Sequence, residues 1–258
     1  MRDPDEGVGP DGAIVTGVSR GKVPAAFEPV LAAVSDAVGE AVSLHLYGSV
    51  ATGRARVGAS DVDLLAVGLP APVAGAVSRT LSARFAGLAR GIEIGAGRPE
   101  DVVGEGDEQY GNRVFLRHYC VRVSGPPGPD LPAFPADARA ARGFNGDIAM
   151  HAQRWRAALA SGADPAALGH RAARKTLLAL ASLVSVHDGT WTTDRASACR
   201  RWSEVDPGMA EDLAVLLRWS EFSPTPAPTR ERVRRVLEGP VARIVAAFTA
   251  TVGLWRAS

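Results

Sequence analysis

The sequence predicts an α/β fold with a small mixed sheet, followed by an all-α helical bundle. Three observations lead to this prediction. Short stretches before residue 125 alternate apolar and polar residues, prolines interrupt the pattern at residues 125–140, and apolar residues then recur at three- and four-residue steps. We therefore expect a flexible tail at residues 1–22, an α/β domain at 23–145 and an α-helical domain at 146–258.

The composition is that of a soluble globular protein. Apolar residues make up 46% and charged residues 22% of the 258 residues, and the formal net charge is +1. A near-neutral chain is not built to bind nucleic acid through its overall charge. The longest apolar run, at residues 176–186, is too short to cross a bilayer. We expect a cytoplasmic monomer without a nucleic-acid or membrane partner.

The predicted α/β domain has an order of helix, strand, loop, strand, helix and strand. The residues that justify each element are apolar positions with helical or alternating spacing. In chain order, the elements are a helix at Pro24–Glu40, strands at Ala41–Ser49 and Ser60–Leu69, a helix at Ala71–Arg90, and strands at Gly91–Gly97 and Arg113–Gly125.

The predicted helical domain has five stretches with apolar residues on one face. Asp or Thr starts several of them and Gly often ends them, which is typical of helix caps. The stretches are Gly146–Ser161, Asp164–Gly189, Thr193–Val205, Pro207–Phe222 and Thr229–Trp255.

Three carboxylates lie on the polar faces of otherwise apolar predicted strands. Asp61 and Asp63 stand two residues apart, so both side chains point to one face of their strand, and Glu93 is on the polar face of the next strand. Like charges so close together repel, so the pattern calls for a cation between them. Hard carboxylate oxygens favour Mg²⁺, which completes its shell with water and substrate phosphates. A third carboxylate can accept the proton of an attacking hydroxyl.

A Gly-Ser turn follows the first predicted strand. Gly48 lets the backbone approach a phosphate closely, and the hydroxyl of Ser49 and backbone N–H groups can bind phosphate oxygens. The combination predicts a site for Mg²⁺ and a nucleoside triphosphate.

The stretch GSVATGRARVGASDVDL, residues 48–64, resembles the signature of the DNA polymerase β-like nucleotidyltransferase superfamily. The whole arrangement is similar to the aminoglycoside adenylyltransferases that modify streptomycin and spectinomycin. Their shared features correspond here to Gly48-Ser49, Ser60–Leu64, Glu93, Gly125-Pro126-Pro127 and the region after Gly146.

The resemblance implies a role for each site residue. Residues 23–145 would be the nucleotidyltransferase domain, in which Asp61 and Asp63 ligate Mg²⁺ and Glu93 is the general base. The implied nucleotide-binding residues are Gly48, Ser49, Ser60, Arg56 and Arg195. The implied reaction transfers AMP from ATP to a hydroxyl of a small acceptor, a cationic aminoglycoside or aminocyclitol antibiotic, and releases pyrophosphate.

Two other functions remain open from the sequence. One is transfer to a protein side chain, as in toxin-neutralising nucleotidyltransferases, or to a natural-product sugar, because Lys175 and Ser182 depart from the family pattern in the helical domain. The other is a nucleotide-binding regulatory module without turnover.

Glu100 and Asp101 compete with Glu93 for the role of base, but they follow Pro99 in a predicted loop.

Overall fold

The structure is a computed structural model that describes residues 5–221 and 227–256. These residues form the strands β1 Gly7–Val8, β2 Ile14–Val15, β3 Ser43–Tyr47, β4 Val62–Val67, β5 Ile92–Gly97 and β6 Val121–Ser124. They also form the helices α1 Glu28–Val38, α2 Gly48–Ala51, α3 Ala71–Arg84, α4 Asp107–Tyr119, α5 Ala138–Asn145, α6 Ile148–Ala160, α7 Pro165–Asp188, α8 Arg195–Val205, α9 Ala210–Glu221, α10 Arg230–Glu238 and α11 Pro240–Thr251. The predicted mixture of a small sheet and many helices is confirmed.

The chain divides into two compact units. The sheet unit consists of Thr16–Gly104 and Asn112–Ala133. The helical unit takes the described residues within Met1–Val15, Glu105–Gly111 and Phe134–Ser258.

The sheet unit is built on a four-stranded mixed sheet with the order β5-β4-β3-β6. Strand β3 pairs antiparallel with β4 and β6, whereas β4 pairs parallel with β5. The parallel pair needs a crossover between its strands, and α3 supplies it.

The core of the sheet unit follows from the alternation of side chains along its strands. Val62, Leu64 and Ala66 of β4 are fully buried, and helices α1 and α3 contribute apolar side chains to the same core. Asp63 of β4 therefore points to the opposite face of the sheet. Burial of one face thus decides on which face the polar residues of the strands lie.

The helical unit is organised around α7, which packs against α5, α6, α8, α9, α10 and α11. This helix starts at Asp164, whose side chain accepts a hydrogen bond from Ala167 N, and ends at Gly189 in the left-handed conformation with φ of 60°. Within the described ranges, we find no helix with the length and apolar character needed to span a membrane.

The cap residues predicted for the helical half are confirmed. The side chains that accept a hydrogen bond from the first turn of α7, α8 and α10 belong to Asp164, Asp194 and Thr229. The last predicted stretch divides into α10 and α11 at Gly239, because Pro240 cannot donate the hydrogen bond that a continuous helix requires. Phe222, the end of another predicted stretch, lies outside the described residues.

The strand predicted at Arg113–Gly125 is wrong over its first half. Residues up to Tyr119 continue α4, and only Val121–Ser124 form a strand. The buried residues Tyr110, Val114 and His118 recur every four residues, which is the period of a helix rather than of a strand.

The predicted N-terminal tail contains secondary structure. Strands β1 and β2 pair antiparallel, and a short helical turn follows at Arg20–Lys22. Ile14 is buried, and its backbone N–H donates to the carbonyl of Phe134. The first four residues lie outside the described residues, and the predicted division at residues 22 and 145 stays a prediction.

A largely buried ion pair fixes the start of α4 in the helical unit. Asp107 Oδ2 accepts a hydrogen bond from Arg142 Nε at 2.8 Å and from the backbone N–H of Arg256 at 3.1 Å, and the side chain of Asp107 is buried while that of Arg142 is 15% exposed. Burial disfavours the charged carboxylate, but these hydrogen bonds outweigh it and hold the pKa of Asp107 below its usual value of 3.8.

We expect Asp107→Asn to lower the free energy of unfolding by about 3 kcal/mol at neutral pH, because it leaves the largely buried Arg142 without its counter-charge. A carboxylate whose pKa is lower in the folded than in the unfolded protein stabilises the folded state at pH values above its unfolded pKa. This stabilisation is lost as the pH falls through its folded pKa. The difference between wild type and variant, measured by urea unfolding, should therefore shrink below about pH 4. Glu231→Gln, in an exposed ion pair with Arg234, is the control. An equal loss in both variants would contradict this account.

Candidate active site

A row of three polar side chains crosses the face of the sheet that is opposite the core of the sheet unit. Tyr47 of β3 pairs with Asp63 of β4, and Asp63 pairs with Glu93 of β5. Residues paired across strands project to the same face. The pairing brings the predicted residues Asp63 and Glu93 side by side.

Asp61 lies directly before β4 and on the same side of the chain as Asp63. Arg90 binds the carboxylate of Asp61 in a two-pronged ion pair. Nε donates to Oδ1 at 3.0 Å, and Nη2 contacts Oδ2. A cation thus stands beside one of the two neighbouring aspartates, as their charges require, and in the described structure it is a guanidinium.

The turn after β3 brings backbone against Asp63. Gly48 has φ of +71°, and a Cβ built on it would lie 2.4 Å from Asp63 Oδ2. A side chain at this position is excluded both by the left-handed backbone and by contact with the carboxylate. Close approach of the chain to Asp63 therefore requires glycine, as the sequence analysis expects of a phosphate-binding turn.

The loop between the turn and β4 is held by its own backbone. The carbonyl of Ser49, in the first turn of α2, accepts from Arg54 N and Ala55 N. Ser60 Oγ accepts from Arg56 N at 2.9 Å, while the side chain of Arg56 is exposed. Ser60 thus closes the turn that leads into Asp61.

The remaining predicted residue is in the helical unit. Arg195 is the first residue of α8, and its Nη1 donates to the carbonyl of Ser220 at 3.2 Å. Burial lowers the pKa of Arg195. The structure thus brings Gly48, Ser49, Ser60, Asp61, Asp63 and Glu93 together in the sheet unit, and Arg195 belongs to the other unit.

The pKa of Tyr47 is shifted by burial and by the charges on this face. Burial, and then the neighbouring charges of Asp63, Glu93 and Cys120, raise the pKa of the Tyr47 hydroxyl to about 12. The hydroxyl is therefore neutral at physiological pH and able to donate a hydrogen bond. The ring packs edge-on against Phe115, with centroids 5.1 Å apart.

The donor set suits Mg²⁺. Asp61 and Asp63 offer only carboxylate oxygens on one face, and Gly48, which has no side chain, lets the backbone of the turn lie against Asp63. In the part of the chain that the structure describes, no three His, Cys, Asp or Glu side chains are grouped so as to enclose a metal.

Two residues of this face escaped the sequence analysis as site residues. Tyr47 ends the first strand, and only its pairing with Asp63 shows that it belongs to the row. Arg90 ends the predicted helix before β5, 29 residues from its partner Asp61. The parallel register of β4 and β5 brings them together, and no local pattern in the sequence reports that register.

No family model matches the chain, and no curated protein matches it. Among solved structures, the chain matches a spectinomycin adenyltransferase, AAD(9) from Enterococcus faecialis, with a TM-score of 0.50. The match covers 85% of this chain and 98% of that one at 11% identity. The chain has the fold of this adenyltransferase. The resemblance seen in the sequence is therefore matched at the level of fold, and that protein was solved with ATP and spectinomycin.

We expect Gly48→Ala to displace the Asp63 carboxylate, because its Cβ would overlap Oδ2. Gly189→Ala is the matched control, since Gly189 is also left-handed, with φ of 60°, but nothing lies within 4 Å of the position that its Cβ would take. Both variants should lose roughly 1–2 kcal/mol from the left-handed backbone, measured by urea unfolding. Only Gly48→Ala should lose more than this. Equal losses would show that Asp63 does not depend on the turn.

Proposed function

We propose that the chain is a Mg²⁺-dependent nucleotidyltransferase that transfers AMP from ATP to a hydroxyl of an aminoglycoside or aminocyclitol. The observation that supports this most is the pairing of Asp63 with Glu93 across neighbouring strands. Asp63 lies two residues after Asp61 and directly against the turn at Gly48. The fold supports it as well, since an adenyltransferase of that fold was solved with ATP and spectinomycin.

In this proposal, Asp61 and Asp63 hold the metal through their oxygens. The bound metal would neutralise charge on the phosphates and on the departing pyrophosphate. The chain must first separate Asp61 from Arg90, and Asp63 is already placed against the turn that would carry phosphate. Together, these contacts would position the nucleotide without further rearrangement of β4.

Glu93 is the proposed base. Its carboxylate would take the proton of the acceptor hydroxyl as that oxygen attacks the α-phosphorus. The bond from the α-phosphorus to the bridging oxygen breaks, and pyrophosphate leaves with the electron pair. Glu93 is exposed on β5, where an acceptor can reach it, and its neighbour Asp63 lies one strand away.

The other proposed contacts are with the nucleotide. Backbone N–H groups at Gly48 and Ser49 and the hydroxyl of Ser49 would bind phosphate oxygens. Arg56, exposed on the loop, and Arg195, in the helical unit, are proposed to add positive charge for the phosphates, and Ser60 to hold the loop. We assign this chemistry to residues 23–145, in a cytoplasmic monomer.

An acidic face also suits the acceptor. Aminoglycosides and aminocyclitols carry ammonium groups. The negative charges of Asp61, Asp63 and Glu93 would attract these groups if the charge of the metal is balanced by the phosphates of the nucleotide. This favours a cationic small molecule over a neutral sugar. The sheet face alone does not choose among such antibiotics.

The test is release of pyrophosphate from Mg·ATP by the purified chain, over streptomycin, spectinomycin and several deoxystreptamine aminoglycosides. We expect release that depends on one of them. Asp63→Asn should abolish it, and Glu93→Gln should lower kcat by about 10²- to 10⁴-fold, the usual contribution of a base. Asp36→Asn, on the exposed surface of α1, is the control and should keep full activity.

The outcomes separate the candidate functions. No release with any antibiotic, while ATP still raises the melting temperature, would move the acceptor to a protein or another sugar. Full activity of Asp63→Asn would contradict the proposed site. ATP binding without release of pyrophosphate in the presence of antibiotic, protein or sugar acceptors would support a regulatory module.

A further inference from the structure

Arg90 places a positive charge on one of the proposed metal ligands. Both oxygens of the Asp61 carboxylate face the guanidinium, one through Nε at 3.0 Å and the other through Nη2. A divalent cation bound to Asp61 would share these oxygens and repel the guanidinium at short range. The two cations therefore compete for one carboxylate.

The ion pair is built so that the guanidinium is the partner that can move. The side chain of Arg90 is 63% exposed, whereas that of Asp61 is 19% exposed. The backbone on both sides is fixed, because Arg90 N donates to the carbonyl of Ser60 and Val62 N donates to that of Gly91. The guanidinium can turn into solvent while Asp61 and the paired strands keep their places.

The ion pair of Arg90 differs in its setting from that of Arg98 in the same unit. Arg98 forms a similar two-pronged pair with Asp101 at the start of a short helical turn after β5, where Asp101 Oδ2 also accepts a hydrogen bond from Arg98 N at 2.8 Å. Arg90 thus pairs with a carboxylate of the candidate site 29 residues away in the sequence, whereas Arg98 pairs within a local turn.

We propose that Arg90 is the resident counter-ion of this site: it neutralises Asp61 while no divalent cation is bound, and the entering cation displaces it. The inference rests on the proposed function, since it needs Asp61 to be a metal ligand. Arg90 is then a positioning residue that sets the metal affinity of the chain. A site that already carries a counter-ion binds a lone cation weakly, so the metal enters chiefly with ATP, whose phosphates add negative charge.

The experiment measures binding of Mn²⁺, which shares the oxygen ligands of Mg²⁺, by loss of the electron paramagnetic resonance signal of the free ion. The full-length wild type is compared with Arg90→Gln, Arg90→Lys and the matched control Arg98→Gln. We expect Arg90→Gln to bind Mn²⁺ on the order of threefold to tenfold more tightly, because it removes both the ion pair and a nearby positive charge. Arg90→Lys should also bind more tightly than wild type, since lysine keeps the charge but cannot grip both oxygens.

Each outcome decides the matter. Unchanged or weaker binding by Arg90→Gln would overturn the inference, and so would an equal gain in Arg98→Gln. Tighter binding by Arg90→Gln with no change in Arg90→Lys would overturn it too, because charge alone, without occupation of the carboxylate, would explain the result. These results leave the proposed function standing if Asp61→Asn weakens Mn²⁺ binding. Absence of Mn²⁺ binding by every form, with and without ATP, would overturn the proposed metal-dependent function together with the inference.

Discussion

The parallel pairing of β4 with β5 is the constraint on which the candidate site depends. Its register sets Asp63 beside Glu93 and brings Asp61 within reach of Arg90. Side chains alternate along a strand, so a slip of one residue would send the carboxylates toward the core and the buried Val62 and Leu64 to the surface. The large cost of exposing that apolar face holds the register, and the register in turn holds the site.

Electrostatics explains why the site needs more than three carboxylates. Asp61, Asp63 and Glu93 put like charges on one face, and burial together with the charges of Asp63 and Glu93 raises the pKa of Tyr47 to about 12. Arg90 relieves part of that repulsion through Asp61. The missing side chain of Gly48 lets the backbone come close to Asp63, where a group with phosphate oxygens would meet the carboxylate-bound cation. Stability of the acidic face and the proposed affinity for a metal–nucleotide complex would thus depend on the same balance of charges.

Much of the sheet unit can be predicted from the sequence, because its strands β3, β4 and β5 are short and alternate apolar with polar residues around His45, Asp63 and Glu93. The pattern is strong enough to place Asp63 on the polar face and Gly48 at a turn. The same reasoning failed at residues 113–119, where apolar residues follow one another closely and their four-residue period shows only once Tyr110 is included. Contacts such as Arg90 with Asp61 join distant residues, and sequence periodicity carries no information on them. The boundary between α10 and α11 depends on Gly239-Pro240, a local signal that a long apolar stretch obscured.

Asp61 and Asp63 are proposed to hold a divalent cation that carries the phosphates of a nucleotide, and the rest of the proposed chemistry depends on that cation. The most direct measurement is a crystal structure of the chain with Mn²⁺ and a non-hydrolysable ATP analogue, in which anomalous scattering locates the metal. We expect the metal to contact both aspartates and a phosphate oxygen, with Glu93 facing the α-phosphate and the Arg90 guanidinium turned away from Asp61. A nucleotide bound elsewhere, or a metal that leaves both aspartates uncontacted while Arg90 stays on Asp61, would contradict the account.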